Sequence, residues 1–167
     1  VSDGLGESGE VRPAASPVGS QAAPAVLRIL VAEDNLVNQK LTVTLLEKAG
    51  HYVSVASDGG EAVEKWKAGG FDLVLMDVQM PNMSGLDATR AIRAMEGAAA
   101  VRVPILALTA HAMKGDLDKC IEAGMDGYIS KPVRRDYLLE MVQRHAADGA
   151  VRRRLEPLTM MSAAGCG

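Results

Sequence analysis

The sequence predicts an α/β domain: a parallel sheet of five strands, doubly wound, with helices on both faces. Three observations carry this. Strand-length apolar runs alternate with stretches of helical periodicity five times over. Two runs, Leu73-Val74-Leu75-Met76 and Ile105-Leu106-Ala107-Leu108, are continuously apolar, as strands buried on both faces must be. The composition also supplies a core, because 48% of the 167 residues are hydrophobic. Only 3% are aromatic, so that core is aliphatic.

The elements follow in order. Residues 1–25 are dominated by Gly, Ser, Pro and Ala without apolar period, which reads as a flexible linker. The first strand is expected over Val26–Ala32. A helix follows in which Val37, Leu41 and Leu45 step by four. The second strand is Tyr52–Ala56. Asp58 then stands as a cap before a helix carrying Ala62, Val63 and Trp66 on one face. Leu73–Met76 is the third strand, followed by a helix with Ala88, Ile92 and Met95 on its inner stripe. Val103–Leu108 is the fourth. Leu117, Cys120 and Ile121 mark the fourth helix, which Gly124 stops. Tyr128–Ile129 is the fifth strand, and Leu138, Met141, Val142 and His145 form the last stripe. The domain is thus expected over 26–146, with 147–167 as a C-terminal tail. The chain opens on Val1, which suggests a piece of something longer.

Charge and cysteine usage narrow the function. Twenty-one acidic residues against 18 basic ones give a net charge of −3, which argues against a general nucleic-acid binder. No apolar stretch reaches the ~18 residues of a membrane span, and no signal-peptide pattern opens the chain. Cys120 and Cys166 form no CxxC, so neither a disulfide framework nor a zinc site is expected. A reducing, cytoplasmic compartment fits this usage.

In doubly wound sheets the working groups lie beyond the carboxyl ends of the strands. Here those ends carry Glu33-Asp34, Asp77, Thr109 and Ser130-Lys131-Pro132, while Ser57-Asp58 reads as a cap. Three neighbouring carboxylates repel one another, most of all in a low dielectric. A divalent cation relieves this, and hard oxygen ligands suit Mg²⁺. With a hydroxyl from Thr109 and an ammonium from Lys131, the set describes a phosphoryl site. Asp77 is its nucleophile, forming an acyl phosphate, and the cation and Lys131 neutralise the developing charge. Taken singly, each residue also reads as an ordinary turn, cap or strand end.

The same residues resemble a known family. Ile29-Leu30-Val31-Ala32-Glu33-Asp34-Asn35, Asp77-Val78-Gln79-Met80-Pro81 with Met83-Ser84-Gly85-Leu86, Ala107-Leu108-Thr109-Ala110 and Gly127-Tyr128-Ile129-Ser130-Lys131-Pro132-Val133 are similar to the receiver domain of two-component response regulators. The similarity runs from about Leu27 to His145 and is nearest to receivers attached to hybrid sensor histidine kinases. It implies the flavodoxin-like strand order 2-1-3-4-5. It implies that Asp77 accepts a phosphoryl group from a phosphohistidine, on a histidine kinase or a histidine phosphotransfer protein. It implies that Asp34 binds Mg²⁺ directly and Glu33 through water, with Asp77 and the backbone carbonyl of Gln79 completing the protein ligands. Thr109 and Lys131 contact the phosphoryl oxygens, Lys131–Pro132 is the cis peptide, and Tyr128 is the switch aromatic. Phosphorylation then remodels the surface of the fourth helix, fifth strand and fifth helix as a population shift. Gln79 and His111, each two residues beyond a site residue, are expected to tune the phospho-Asp77 lifetime, histidine being the side chain whose charge changes near neutral pH.

Rival readings rest on fewer residues. His111-Ala112-Met113-Lys114-Gly115 resembles a histidine phosphotransfer core, which needs an all-α bundle. An aspartyl phosphohydrolase commonly carries a second acid two residues after its nucleophile, where this chain has Gln79. No nucleotide loop suggests a kinase within this chain, and Arg152-Arg153-Arg154 is too short for a DNA-binding output. The domain is therefore expected to be a self-phosphorylating switch with no direct nucleic-acid or membrane contact. It belongs either to a hybrid kinase, which is favoured, or to a stand-alone regulator.

Overall fold

The computed structural model describes residues 26–97 and 102–146. The expected linker over 1–25 and tail over 147–167 lie outside the described residues. Five strands and five helices alternate: β1 (Arg28–Ala32), α1 (Leu36–Lys48), β2 (Tyr52–Ala56), α2 (Gly59–Ala68), β3 (Leu73–Asp77), α3 (Gly85–Glu96), β4 (Ile105–Thr109), α4 (Lys114–Ala123), β5 (Gly127–Ser130) and α5 over 135–146. All pairings are parallel, and the spatial order is β2-β1-β3-β4-β5. This is the predicted 2-1-3-4-5 order.

The pleat sends alternate side chains to opposite faces, and two cores result. Leu30, Val74, Met76, Ile105 and Ala107 meet Ala62 and Val63 of α2, Ala88 and Ile92 of α3, and Cys120 of α4. Ile29, Val31, Leu73, Leu75, Leu106, Leu108 and Ile129 meet Leu46 of α1 and Leu138, Met141 and Val142 of α5. Every residue of β3 and β4 is buried, which explains their unbroken apolar runs.

Local signals set the helix starts. Asn35 Oδ1 accepts the amides of Val37 and Asn38, Asp58 caps α2 through Glu61 N–H, and Ser84 caps α3 through Asp87 N–H. Met113 precedes α4 with no side-chain cap.

Four sequence expectations are corrected. The stripe of α1 is partly misplaced: Leu45 packs against the core, but Val37 is 76% and Leu41 41% exposed, and the helix buries Thr42 and Leu46 instead. On α3, Met95 is exposed while Thr89, whose hydroxyl donates to Gly85 O, is buried. On α4, Ile121 is exposed and Cys120 carries the packing. β4 begins at Ile105 and not Val103, because Pro104 has no amide to give the ladder and offers its carbonyl to Val74 N–H.

Candidate phosphoacceptor site

The register assembles the site. Ala32 pairs with Met76 and Asp77 with Leu108, so Glu33 and Asp77 leave the sheet at one level. Thr109 pairs with Ser130, and Lys131 follows one residue later. Glu33 is held from three sides: its N–H donates to Ala56 O, its carbonyl accepts Gln39 Nε2 at 2.8 Å, and its Oε1 accepts Asn35 N–H at 3.0 Å. Lys131 is tethered by its own N–H, which donates to Thr109 O at 2.8 Å. The Lys131–Pro132 bond is cis.

The charged groups meet at contact distance. Lys131 Nζ lies 2.8 Å from Asp77 Oδ2 and 2.8 Å from Glu33 Oε2. Asp77 Oδ1 accepts Gln79 N–H at 3.1 Å. Glu33 is 1% exposed and Asp77 4%, whereas Asp34 is exposed at the rim. Burial first, and the nearby Asp77 second, push the Glu33 carboxyl above its ordinary range. Burial pulls Lys131 down, but its bonds to Asp77 and Glu33 outweigh this and hold it above the usual lysine value.

The donor set suits a hard cation. Glu33, Asp34 and Asp77 each place a carboxylate oxygen within 4.8 Å of the others. Glu33 Oε2 is buried and, despite its ion pair with Lys131, makes no hydrogen bond. One ammonium faces three carboxylates, so the cluster keeps a net negative charge that a small divalent ion with oxygen ligands would balance.

The remaining expected residues are distributed around this centre. Thr109 is buried at the end of β4, with its hydroxyl turned onto its own loop: it donates to His111 O at 2.8 Å and accepts His111 N–H at 3.0 Å. Gln79, Thr109 and His111 line one small cavity with Val78, Leu86 and Cys120. Tyr128 on β5 is 36% exposed. The sequence reading gave no role to Gln39, Asn82 or Gly85. Gln39 acts through Glu33's carbonyl, and a lone Gln early in a helix gives no signal of that. Gly85 was visible as part of the Met83–Leu86 stretch, and its role is spatial: a Cβ there would lie 1.9 Å from Asp77 O.

The response regulator receiver domain model matches residues 29–143. The chain belongs to the receiver family. It is 47% identical over 129 residues to hybrid signal transduction histidine kinase I of Dictyostelium discoideum, covering 74% of this chain and 7% of that protein. The chain therefore spans a small fraction of the length of such relatives. Among solved structures, it resembles the receiver domain of a sensor histidine kinase from Pseudomonas aeruginosa, which holds a magnesium ion in its active-site cleft. The TM-score there is 0.67 at 41% identity, covering 74% of this chain and 99% of that one. It also resembles the receiver of the Saccharomyces cerevisiae response regulator Ssk1, crystallised with the histidine phosphotransfer protein Ypd1. That match has a TM-score of 0.69 at 33% identity, covering 73% of this chain and 90% of that one. Among the described residues of this receiver, no helix is long and apolar enough to cross a membrane.

Proposed function

We propose that Asp77 is the phosphoacceptor of this receiver and takes its phosphoryl group from a phosphohistidine on a partner protein. The observation that carries this is the buried Asp77 carboxylate, bonded at once to Lys131 Nζ and the Gln79 amide beside Glu33 and Asp34. An Asp77 oxygen attacks phosphorus, the P–N bond breaks, and the electron pair leaves with the imidazole nitrogen. Mg²⁺, when bound, draws charge off the phosphoryl oxygens. Asp34, Asp77 and the Gln79 carbonyl would hold it, with Glu33 acting through water. Lys131 orients Asp77 and then pairs with the phosphoryl group. The Thr109 hydroxyl exchanges its backbone partner for a phosphoryl oxygen, and Tyr128 turns inward into the space this frees. The surface of α4, β5 and α5 is the one read by partners.

The donor is the histidine of a kinase or of a phosphotransfer protein, of the kind seen with the Ssk1 receiver. The exposed apolar side chains of Leu36, Val37 and Leu41 on α1 begin directly after the Glu33–Asn35 rim and offer that partner a contact face. The similarity to hybrid kinases supports a parent protein of that type, with 26–146 as its receiver, 1–25 as a linker and 147–167 as a C-terminal tail. Gln79 and His111, lining one cavity with Thr109, tune how fast water reaches phospho-Asp77. Mass spectrometry after incubation with a small phosphodonor and Mg²⁺ tests the core assignment. One phosphate on Asp77, absent in Asp77→Asn, is expected; an adduct that survives Asp77→Asn overturns it.

A further inference from the structure

Asp58 was legible only as a helix cap, yet a cap uses one carboxylate oxygen and Asp58 uses both. Oδ1 accepts Glu61 N–H at 2.8 Å and closes the first turn of α2. Oδ2 accepts Asn82 Nδ2 at 2.9 Å, from the loop between β3 and α3, 24 residues away. Helix capping accounts for the first bond and leaves the second without a purpose.

The loop that receives this bond is the one that leaves Asp77. Asn82 has φ 66°, a left-handed conformation that asparagine adopts more readily than other residues with a side chain. Its neighbour Met83 is gripped by the same helix start, since Gly59 N–H donates to Met83 O at 3.0 Å. That contact is close: a Cβ on Gly59 would lie 2.4 Å from Met83 O. At its base the loop is closed by Gly85 N–H on Val78 O, and Gln79 N–H reaches Asp77 Oδ1. The Glu61 amide, and then Asn82, hold the Asp58 carboxyl below its ordinary range, so it is an anion where it meets the loop.

We propose that Asp58 is a positioning residue for the phosphoacceptor site: through Asn82 it fixes the 78–84 loop, and so keeps the Gln79 backbone in place beside Asp77 and its cation. The proposal rests on the assignment of Asp77 and its cation above. It reaches beyond that assignment in giving Asp58, just past the end of β2, a part in cation binding.

Three variants of the full 167-residue chain separate the latch from the cap. Asp58→Ser retains a capping oxygen but is too short to reach Asn82. Asp58→Asn removes the same charge yet keeps both bonds, with Oδ1 on Glu61 N–H and Nδ2 donating to a flipped Asn82 amide. Asn82→Gly tolerates the positive φ, leaves the cap intact and removes the latch. Affinity for Mg²⁺ alone is measured by calorimetry, melting temperature in parallel, and Asp77 phosphorylation by a small phosphodonor across Mg²⁺ concentrations. The expected result is Mg²⁺ binding about three- to tenfold weaker in Asp58→Ser and Asn82→Gly, the range an ordinary hydrogen bond spans, since solvent screens the charge of Asp58. Asp58→Asn stays within about twofold of wild type, and the phosphorylation rate at saturating Mg²⁺ is retained in all three. Melting temperatures that fall while Mg²⁺ affinity stays at the wild-type value would make Asp58 a cap alone and overturn the proposal. Equal loss in Asp58→Asn and Asp58→Ser overturns it too, by assigning the effect to charge. A wild-type chain that takes no phosphate on Asp77 overturns the underlying assignment and this proposal with it, whereas normal wild-type phosphorylation with unmoved variants overturns this proposal alone.

Discussion

Gly85→Ala should damage both stability and the site, and the structure fixes why. The added Cβ would stand 1.9 Å from Asp77 O, 2.9 Å from Asp77 C and 2.9 Å from Met76 Cγ. Gly85 does not need a left-handed backbone, so the strain is steric. The nearest obstacle is a backbone carbonyl, which cannot rotate aside as a side-chain tip can. Separation must open from 1.9 Å to at least 3.0 Å, either by moving the end of β3 or by displacing the first turn of α3. Overpacking of this kind costs about 1–3 kcal/mol. The helix-propensity gain of Ala over Gly, about 0.5–1 kcal/mol, offsets only part of it. Since the obstacle is rigid, a net loss of about 2 kcal/mol is expected, or roughly 10 °C in melting temperature for a domain of this size. Gly115→Ala in α4 is the control, because nothing lies within 4 Å of its Cβ. It should leave stability unchanged or raise it by up to about 1 kcal/mol. Urea unfolding of both variants, with Asp77 phosphorylation followed alongside, makes the comparison. Gly85→Ala with wild-type stability and wild-type phosphorylation would refute the steric reasoning outright.

Three further outcomes are expected. Lys131→Met strips the buried Asp77 and Glu33 carboxylates of their ammonium, and removing one partner of a buried pair costs about 3–5 kcal/mol; part of the Lys131 side chain is exposed, so about 2–3 kcal/mol is expected at neutral pH, measured by denaturant unfolding without metal. Glu33, acting on the cation through water, supports it best as an anion: its folded-state pKa lies above 4.5, so calorimetric Mg²⁺ affinity should weaken as pH falls through that raised value, and a pH-independent affinity would exclude Glu33 from the site. His51 is buried with Nδ1 accepting Leu27 N–H at 3.2 Å, and burial holds its pKa below 6.5. A depressed histidine contributes stability that is present above 6.5 and lost as pH falls through the folded-state value; His51→Asn, which keeps an acceptor in place of Nδ1, should lose that limb of the melting curve against pH.

What could be read from sequence depended on whether the signal was local. Leu73–Met76 and Ile105–Leu108 are apolar on both sides because helices cover both sheet faces, so their runs announced buried parallel strands. On α1 the same logic misled. Val37-Leu41-Leu45 and Thr42-Leu46 both have the spacing of a buried stripe, and the core took the second with Leu45 at its edge, leaving Val37 and Leu41 exposed; the threonine disguises the buried face. Asn82 was illegible for another reason. Its side-chain amide bonds to Asp58, which is remote in sequence, and no spacing rule links the two. Gln39 holds a backbone carbonyl, a task that leaves no trace in residue type.

The groups that cluster at the strand ends were legible because their meeting is a consequence of register. Ala32 faces Met76 and Asp77 faces Leu108, so the acid following β1 and the acid ending β3 emerge side by side. Thr109 faces Ser130, which puts the Thr109 carbonyl where the Lys131 amide can take it and turns the lysine back over Asp77. A slip of one residue in any of these pairings would reverse the facing of every side chain on that strand and bury charge in an aliphatic core. Because the runs of β1, β3 and β4 are apolar on both faces, it is the fit of each side chain to one of the two cores, together with the polar strand ends, that opposes such a slip. Packing and polar ends together therefore specify the site: the residues that meet at the strand ends are those left over when the core has chosen its register.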